Sequence, residues 1–157
     1  MLTHSCLPES GSNLMGGTVE LRDFSRMEKK KFAAFRVLVV DDEPLIRWSL
    51  AETLLDCGYE VTEAVDGQTA LQVLADAPTP IDVVVLDYRL PDSNDLQLLS
   101  SIRRISPKSQ VILMTAFGTP EVVSGAQQLG VYRVVHKPFE LKDLAALVRQ
   151  AHTSRPS

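Results

Sequence analysis

Asp41 and Asp42 stand side by side directly after an apolar run at 37–40, and Glu43 and Pro44 follow them. Two kinds of chemistry fit such acids. The structural one is helix capping, in which an acid precedes a proline that suits the first helical turn. The functional one is a carboxylate cluster that holds a divalent cation through hard oxygens. Three further reactive groups lie at the ends of other apolar runs: Asp87 after 81–86, Thr115 after 111–114, and Lys137-Pro138 after 132–136. A carboxylate nucleophile, an acid cluster, a hydroxyl and an ammonium together make a phosphoryl-transfer constellation. Each has an ordinary explanation when taken singly: Asp87 as a turn former, Thr115 as a hydroxyl bonding its own backbone, Lys137 as a solvated surface cation. Recurrence at the ends of four such runs is what those explanations leave out.

Such a constellation needs elements that bring distant residues to one edge, and the patterning predicts them. The runs "VLVV" at 37–40, "IDVVVL" at 81–86 and "VILM" at 111–114 are rich in branched residues and read as strands buried on both faces, with "YEVTEA" at 59–64 and "YRVVH" at 132–136 as shorter strands. Helices are expected at about 44–56, 66–76, 95–105, 120–129 and 140–152. Leu45, Leu50, Leu54 and Leu55 are the apolar positions of the first, and Leu141, Leu144, Ala145 and Val148 of the last. Gly58 and Gly130 sit where helices should stop, and Thr119-Pro120 reads as a cap followed by proline. Strict alternation of strand and helix implies a parallel α/β sheet covered on both faces, with its chemistry at the carboxyl ends of the strands.

Composition bounds the rest. A chain of 157 residues, 45% hydrophobic and 23% charged, suits one soluble domain plus a tail. A formal charge of -4 argues against direct nucleic-acid binding, and the basic run Lys29-Lys30-Lys31 lies outside the patterned region. Cys6 and Cys57 form no CxxC, and His4, His136 and His152 show no metal-ligand spacing, so neither a disulfide framework nor a zinc site is expected and reduced cysteines in the cytoplasm fit. No run approaches the ~20 apolar residues needed to span a bilayer, and the first thirty residues hold no compact apolar core of the kind a signal peptide requires, so neither membrane association nor secretion is expected. Residues 1–34 are rich in Ser, Gly, Asn and charge and read as a disordered extension; Met15 and Met27 leave the start open. The domain proper is expected at 35–152, with 153–157 as a tail. That tail is too short for an output domain, so the chain reads as a stand-alone module or a fragment of a longer regulator.

The segments "VLVVDDEP", "VVVLDYRLPD", "VILMTAFG" and "VVHKPF" resemble the receiver domain of bacterial two-component response regulators over about residues 36–152. The wording "DDEPLIRWSL" and "MTAFG" is most similar to receivers of nitrogen-regulation type activators. The resemblance implies a flavodoxin-like, doubly wound five-stranded parallel sheet in the order 2-1-3-4-5 with five helices. It implies Asp87 as the phosphoacceptor for a histidine kinase or histidine phosphotransfer protein. It also implies a Mg²⁺ site at Asp41, Asp42, Asp87 and the Arg89 backbone carbonyl, with Asp41 acting largely through water. Thr115 and Lys137 would bind phosphoryl oxygens, and Pro138 would follow a cis peptide. Enzymatic activity would be limited to self-phosphorylation and self-dephosphorylation. The chain would act as a monomer or a phosphorylation-linked dimer, signalling to a protein effector through the helix at 120–129, the strand at 132–136 and the last helix.

Two departures from the family pattern stand out, at Val134 and Asp95. Val134 occupies a position that is commonly Tyr or Phe and cannot make the same rotamer switch, and period two places Tyr132 on the same strand face. Asp95 replaces a common glycine, so the loop is expected to carry some left-handed strain. Arg89 and Phe117, two positions beyond Asp87 and Thr115, are bulky and would shield an acyl phosphate from water. Val134 and Asp95 favour an alternative, a phosphorylation-independent interaction module, which the intact acid, Thr and Lys set opposes. A haloacid-dehalogenase type phosphatase would need an acid where Arg89 stands, and no GxGxxG follows the first strand to bind a dinucleotide.

Overall fold

The computed structural model describes residues 35–154; the expected extension at 1–34, with Cys6 and His4, and the last three residues lie outside it. The elements alternate as the patterning predicts: β1 (Arg36–Val40), α1 (Pro44–Asp56), β2 (Glu60–Ala64), α2 (Gly67–Asp76), β3 (Val83–Asp87), α3 (Gln97–Ile105), β4 (Gln110–Thr115), α4 (Pro120–Gln128), β5 (Arg133–His136) and α5 (Leu141–Thr153). The five strands form one sheet in the order β2-β1-β3-β4-β5, and every neighbouring pair is parallel. The most continuously apolar runs supply the three inner strands, and β3 is buried along its whole length. The edge strands β2 and β5 stay partly exposed.

Side chains alternate across the sheet, so two cores form, one on each face. Leu38, Val84, Leu86, Ile102, Val111 and Leu113 pack on the side of α2–α4. Val37, Val39, Leu50, Leu54, Ile112, Met114, Leu144 and Val148 pack on the side of α1 and α5. Local chemistry sets the helix ends: the Asp66 side chain accepts from Thr69 N at 2.8 Å, and the Thr119 hydroxyl accepts from Val122 N at 3.3 Å. Gly58 and Gly130 follow α1 and α4 with φ of 94° and 84°, a region that favours glycine. Among the described residues, no helix is long and apolar enough to cross a membrane.

Three expectations are corrected. Leu50 and Leu54 of α1 are buried, but Leu45 is 73% and Leu55 48% exposed, as is Trp48 at 58%. At about 100° per residue, Leu45 lies about 140° around the helix from Leu50 and cannot share its face. Tyr132 does not lie on the face of Val134: it packs with Val135 and Phe139 toward α5, whereas Val134 packs on the opposite core. The strand begins only at Arg133, so its alternation does not reach back to Tyr132. Cys57 is disulfide-bonded, against the expectation of reduced cysteines. Disulfide formation depends on Cα separation in space, which spacing along the chain does not encode.

Candidate functional site

Parallel strands all end on the same side, so Asp41 after β1, Asp87 at the end of β3, Thr115 at the end of β4 and Lys137 after β5 come to one edge. Lys137 N donates to Thr115 O at 2.8 Å, which continues the β4–β5 ladder to the site. The peptide between Lys137 and Pro138 is cis, as the resemblance implied.

Asp41 is fully buried and tied in four directions. Its N–H donates to Ala64 O at 3.1 Å, its Oδ1 accepts from Glu43 N at 2.9 Å, and its carbonyl accepts from Arg47 Nη1 at 2.9 Å. Its Oδ2 lies 3.3 Å from Lys137 Nζ, and the same ammonium lies 3.3 Å from Asp87 Oδ2. Glu43 is the N-cap of α1 but makes no side-chain cap bond. Capping by Glu43 therefore does not account for the acids. Asp42 is exposed beside this buried pair. Carboxylate oxygens of Asp41, Asp42 and Asp87 all lie within 4.8 Å of one another, and one open and two recessed hard-oxygen groups fit a divalent cation that keeps part of its water shell.

The electrostatics follow from this crowding. Burial pushes the Asp87 carboxyl up from 3.8 to about 6, the Asp41 charge adds to the rise, and Lys137 pulls it back. Burial of Lys137 opposes its charge, but the Asp87 and Asp41 carboxylates outweigh that and raise its pKa. Thr115 is buried, with its hydroxyl accepting from Phe117 N at 3.2 Å. Arg89 N donates to Asp87 Oδ1 at 3.4 Å, which places the residue expected to offer a carbonyl beside the acid. Phe117 is 73% exposed at the rim. Next to Lys137, Leu45, Ile46, Pro138, Phe139 and Leu141 line an apolar cleft of about 550 Å³.

The structure thus brings together every residue that the sequence singled out for the site. It removes one expectation: among the described residues no non-glycine residue has a positive φ, so Asp95 carries no left-handed strain. Its Oδ1 accepts from Gln97 N at 2.9 Å and opens α3 instead. Two contributors escaped sequence reading. Arg47 reaches back from α1 to the Asp41 carbonyl. Asp92 accepts from Gly67 N at 2.8 Å and Gln68 N at 3.0 Å, tying the loop after Asp87 to the start of α2. Arg47 stands one helical turn past the acids, which is a weak signal; the pairing of Asp92 with α2 has none, because the partners are far apart in the chain.

Comparison with known proteins agrees with this geometry. The family model for the response regulator receiver domain matches residues 37–149. The chain is 37% identical over 115 residues to the DNA-binding transcriptional regulator NtrC of Escherichia coli K12, covering 73% of this chain and 24% of that protein. It is 38% identical over 119 residues to the transcriptional regulatory protein PdtaR of Mycobacterium tuberculosis, covering 74% of this chain and 56% of that one. The crystal structure of a CheY-like receiver domain protein from Methanospirillum hungatei superposes with a TM-score of 0.73 at 24% identity, covering 77% of this chain and 95% of that one, a likeness of fold. The chain therefore spans about a quarter to just over half the length of these two curated relatives.

Proposed function

The chain belongs to the response regulator receiver domain family of two-component systems, and we propose that it accepts a phosphoryl group on Asp87 from the phosphohistidine of a histidine kinase or phosphotransfer protein, in a Mg²⁺-dependent reaction. The observation that carries this reading is the Lys137 ammonium held 3.3 Å from both Asp41 and Asp87 at the strand edge that also holds Thr115.

Asp42, Asp87 and the Arg89 carbonyl would hold Mg²⁺ directly, and Asp41, already tied by its own hydrogen bonds, would act through water. When bound, the ion supplies the positive charge that offsets repulsion between the acids and an incoming phosphoryl group. Asp87, with its pKa of about 6, is mostly ionised at neutral pH and is ready to attack. Its oxygen forms a bond to phosphorus as the N–P bond of the phosphohistidine breaks. The released electron pair stays on the imidazole nitrogen, which takes up a proton. Lys137 and the Thr115 hydroxyl would take phosphoryl oxygens, Lys137 through an N–H of its ammonium and Thr115 through its O–H. Arg89 and Phe117 at the rim would slow attack of water on the acyl phosphate.

In this reading the protein is cytoplasmic and turns over no separate substrate beyond its own modification. It acts through protein contact at α4, β5 and α5, without binding nucleic acid through this domain, as a monomer or a phosphorylation-linked dimer. Exposed Leu45 and Trp48 on α1, close to the acids, suit a protein donor better than a small one. The test is intact-protein mass spectrometry after incubation with acetyl phosphate. The expected result is a phosphoryl adduct that requires both Mg²⁺ and Asp87; an equal adduct on Asp87→Ala would overturn the assignment. Val134 favours the second reading, a phosphorylation-independent interaction module. A folded chain that takes no phosphoryl group from either acetyl phosphate or a phosphorylated phosphotransfer protein would select it.

A further inference from the structure

We propose that Arg47 is a positioning residue that keeps the acidic shelf in its cation-binding shape, a role that rests on the receiver reading above. Its guanidinium joins two elements at once: Nη1 donates to the Asp41 carbonyl at 2.9 Å, and Nε donates to Glu63 of β2 at 2.9 Å. The side chain is mostly buried, 17% exposed. An exposed ion pair alone contributes little. The bond to the carbonyl differs, because that carbonyl belongs to the residue that begins the β1–α1 loop and sets the direction of Asp42.

Among the bonds that hold Asp41, the one from Glu43 is internal to the loop, and the one from Lys137 is shared with Asp87 and, in the receiver reading, with a phosphoryl oxygen. The Ala64 contact and Arg47 tie Asp41 to other elements through groups that take no part in the proposed chemistry. Arg47 suits this task because a planar guanidinium offers donors in fixed, divergent directions, whereas a lysine ammonium is a single compact charge. Its positive charge by itself would oppose a cation at the acids. Glu63, paired with it, neutralises that charge, so the geometric role remains without the electrostatic penalty.

The test is calorimetric titration of Mg²⁺ into the full chain and into Arg47→Met, Arg47→Lys and Glu63→Gln, each at low and high salt, with metal-free thermal unfolding alongside. Arg47→Met and Arg47→Lys should each weaken Mg²⁺ binding about tenfold, as loss of an outer-shell partner does, and the loss should persist at high salt. Labelling by acetyl phosphate should recover when Mg²⁺ is raised to saturation. Glu63→Gln, which leaves an unneutralised guanidinium, should weaken binding in a way that salt screens. Arg47→Lys keeps the charge and serves as the folded comparison if Arg47→Met proves unstable. A folded Arg47 variant that binds Mg²⁺ as tightly as the unaltered chain overturns the proposal while leaving the receiver reading intact. Absence of Mg²⁺ binding by the unaltered chain overturns the receiver reading itself.

Discussion

Asp87 is raised to about 6 chiefly by burial and next by the Asp41 charge, so it opposes folding in its ionised form when no cation is present. The sign follows from proton counting. Between about 4 and 6 the folded chain binds more protons at Asp87 than the unfolded chain does, so its stability falls as pH rises through that window. After discounting for solvent screening at the mouth of the site, the effect amounts to roughly 1–2 kcal/mol at neutral pH. Asp87→Asn should therefore be more stable than the unaltered chain at pH 7 in the presence of a chelator, with the difference fading toward pH 4. Urea denaturation across this range checks it, and a variant less stable at pH 7 would show that attraction to Lys137 outweighs burial. The identities of Asp41, Asp42, Asp87, Thr115 and Lys137 were legible because reactive groups at strand ends are rare enough to notice. The four bonds of Asp41 were not, because they depend on what α1, β2 and β5 bring to it.

The β3–α3 loop and α2 are joined by one carboxylate, whose two oxygens take the Gly67 and Gln68 N–H groups. These groups belong to the first turn of α2 and have no partner within the helix. The Asp92 charge also lies at the positive end of the helix. Gly67 is the residue that admits this approach, since a Cβ there would stand 3.2 Å from Asp92 Oδ1 and 3.0 Å from Leu98 Cδ2. Asp92→Ala should lower stability by about 1–2 kcal/mol, comparable to losing a helix cap with its charge-assisted bonds, and chemical denaturation measures it. An unchanged midpoint would mean that water replaces the carboxylate without cost. At this scale the periodicity placed all five helices and strands, and it failed at Tyr132 and at Leu45 and Leu55. In each case a pattern was extended past the element or the face that could bury it.

Across the whole molecule, the strands β1, β3 and β4 contribute to both cores, so neither face of the sheet can pack without the other. Ile102 on one face and Leu144 on the other are both essentially inaccessible to solvent. Ile102→Ala and Leu144→Ala should each cost about 2–5 kcal/mol within a single cooperative transition. Trp48 fluorescence and far-ultraviolet circular dichroism should report the same midpoint in both variants, and separate midpoints would show that the two faces unfold independently.

The amino-acid sequence by itself determined the alternation of strand and helix, the burial of the inner strands and the chemical identity of the site. These follow from local hydrophobic periodicity and from which reactive residue ends each run. The tertiary structure alone decided that Lys137 bridges Asp41 and Asp87, that Arg47 and Asp92 hold the flanking loops, and that Tyr132 and Val134 face opposite cores. The Lys137 bridge and the Asp92 tie depend on distances between residues far apart in the chain, the Arg47 bond on how α1 sets against the loop before it, and the placement of Tyr132 on where β5 begins. Such distances are set by how the helices settle on the sheet, and no spacing along the chain records them.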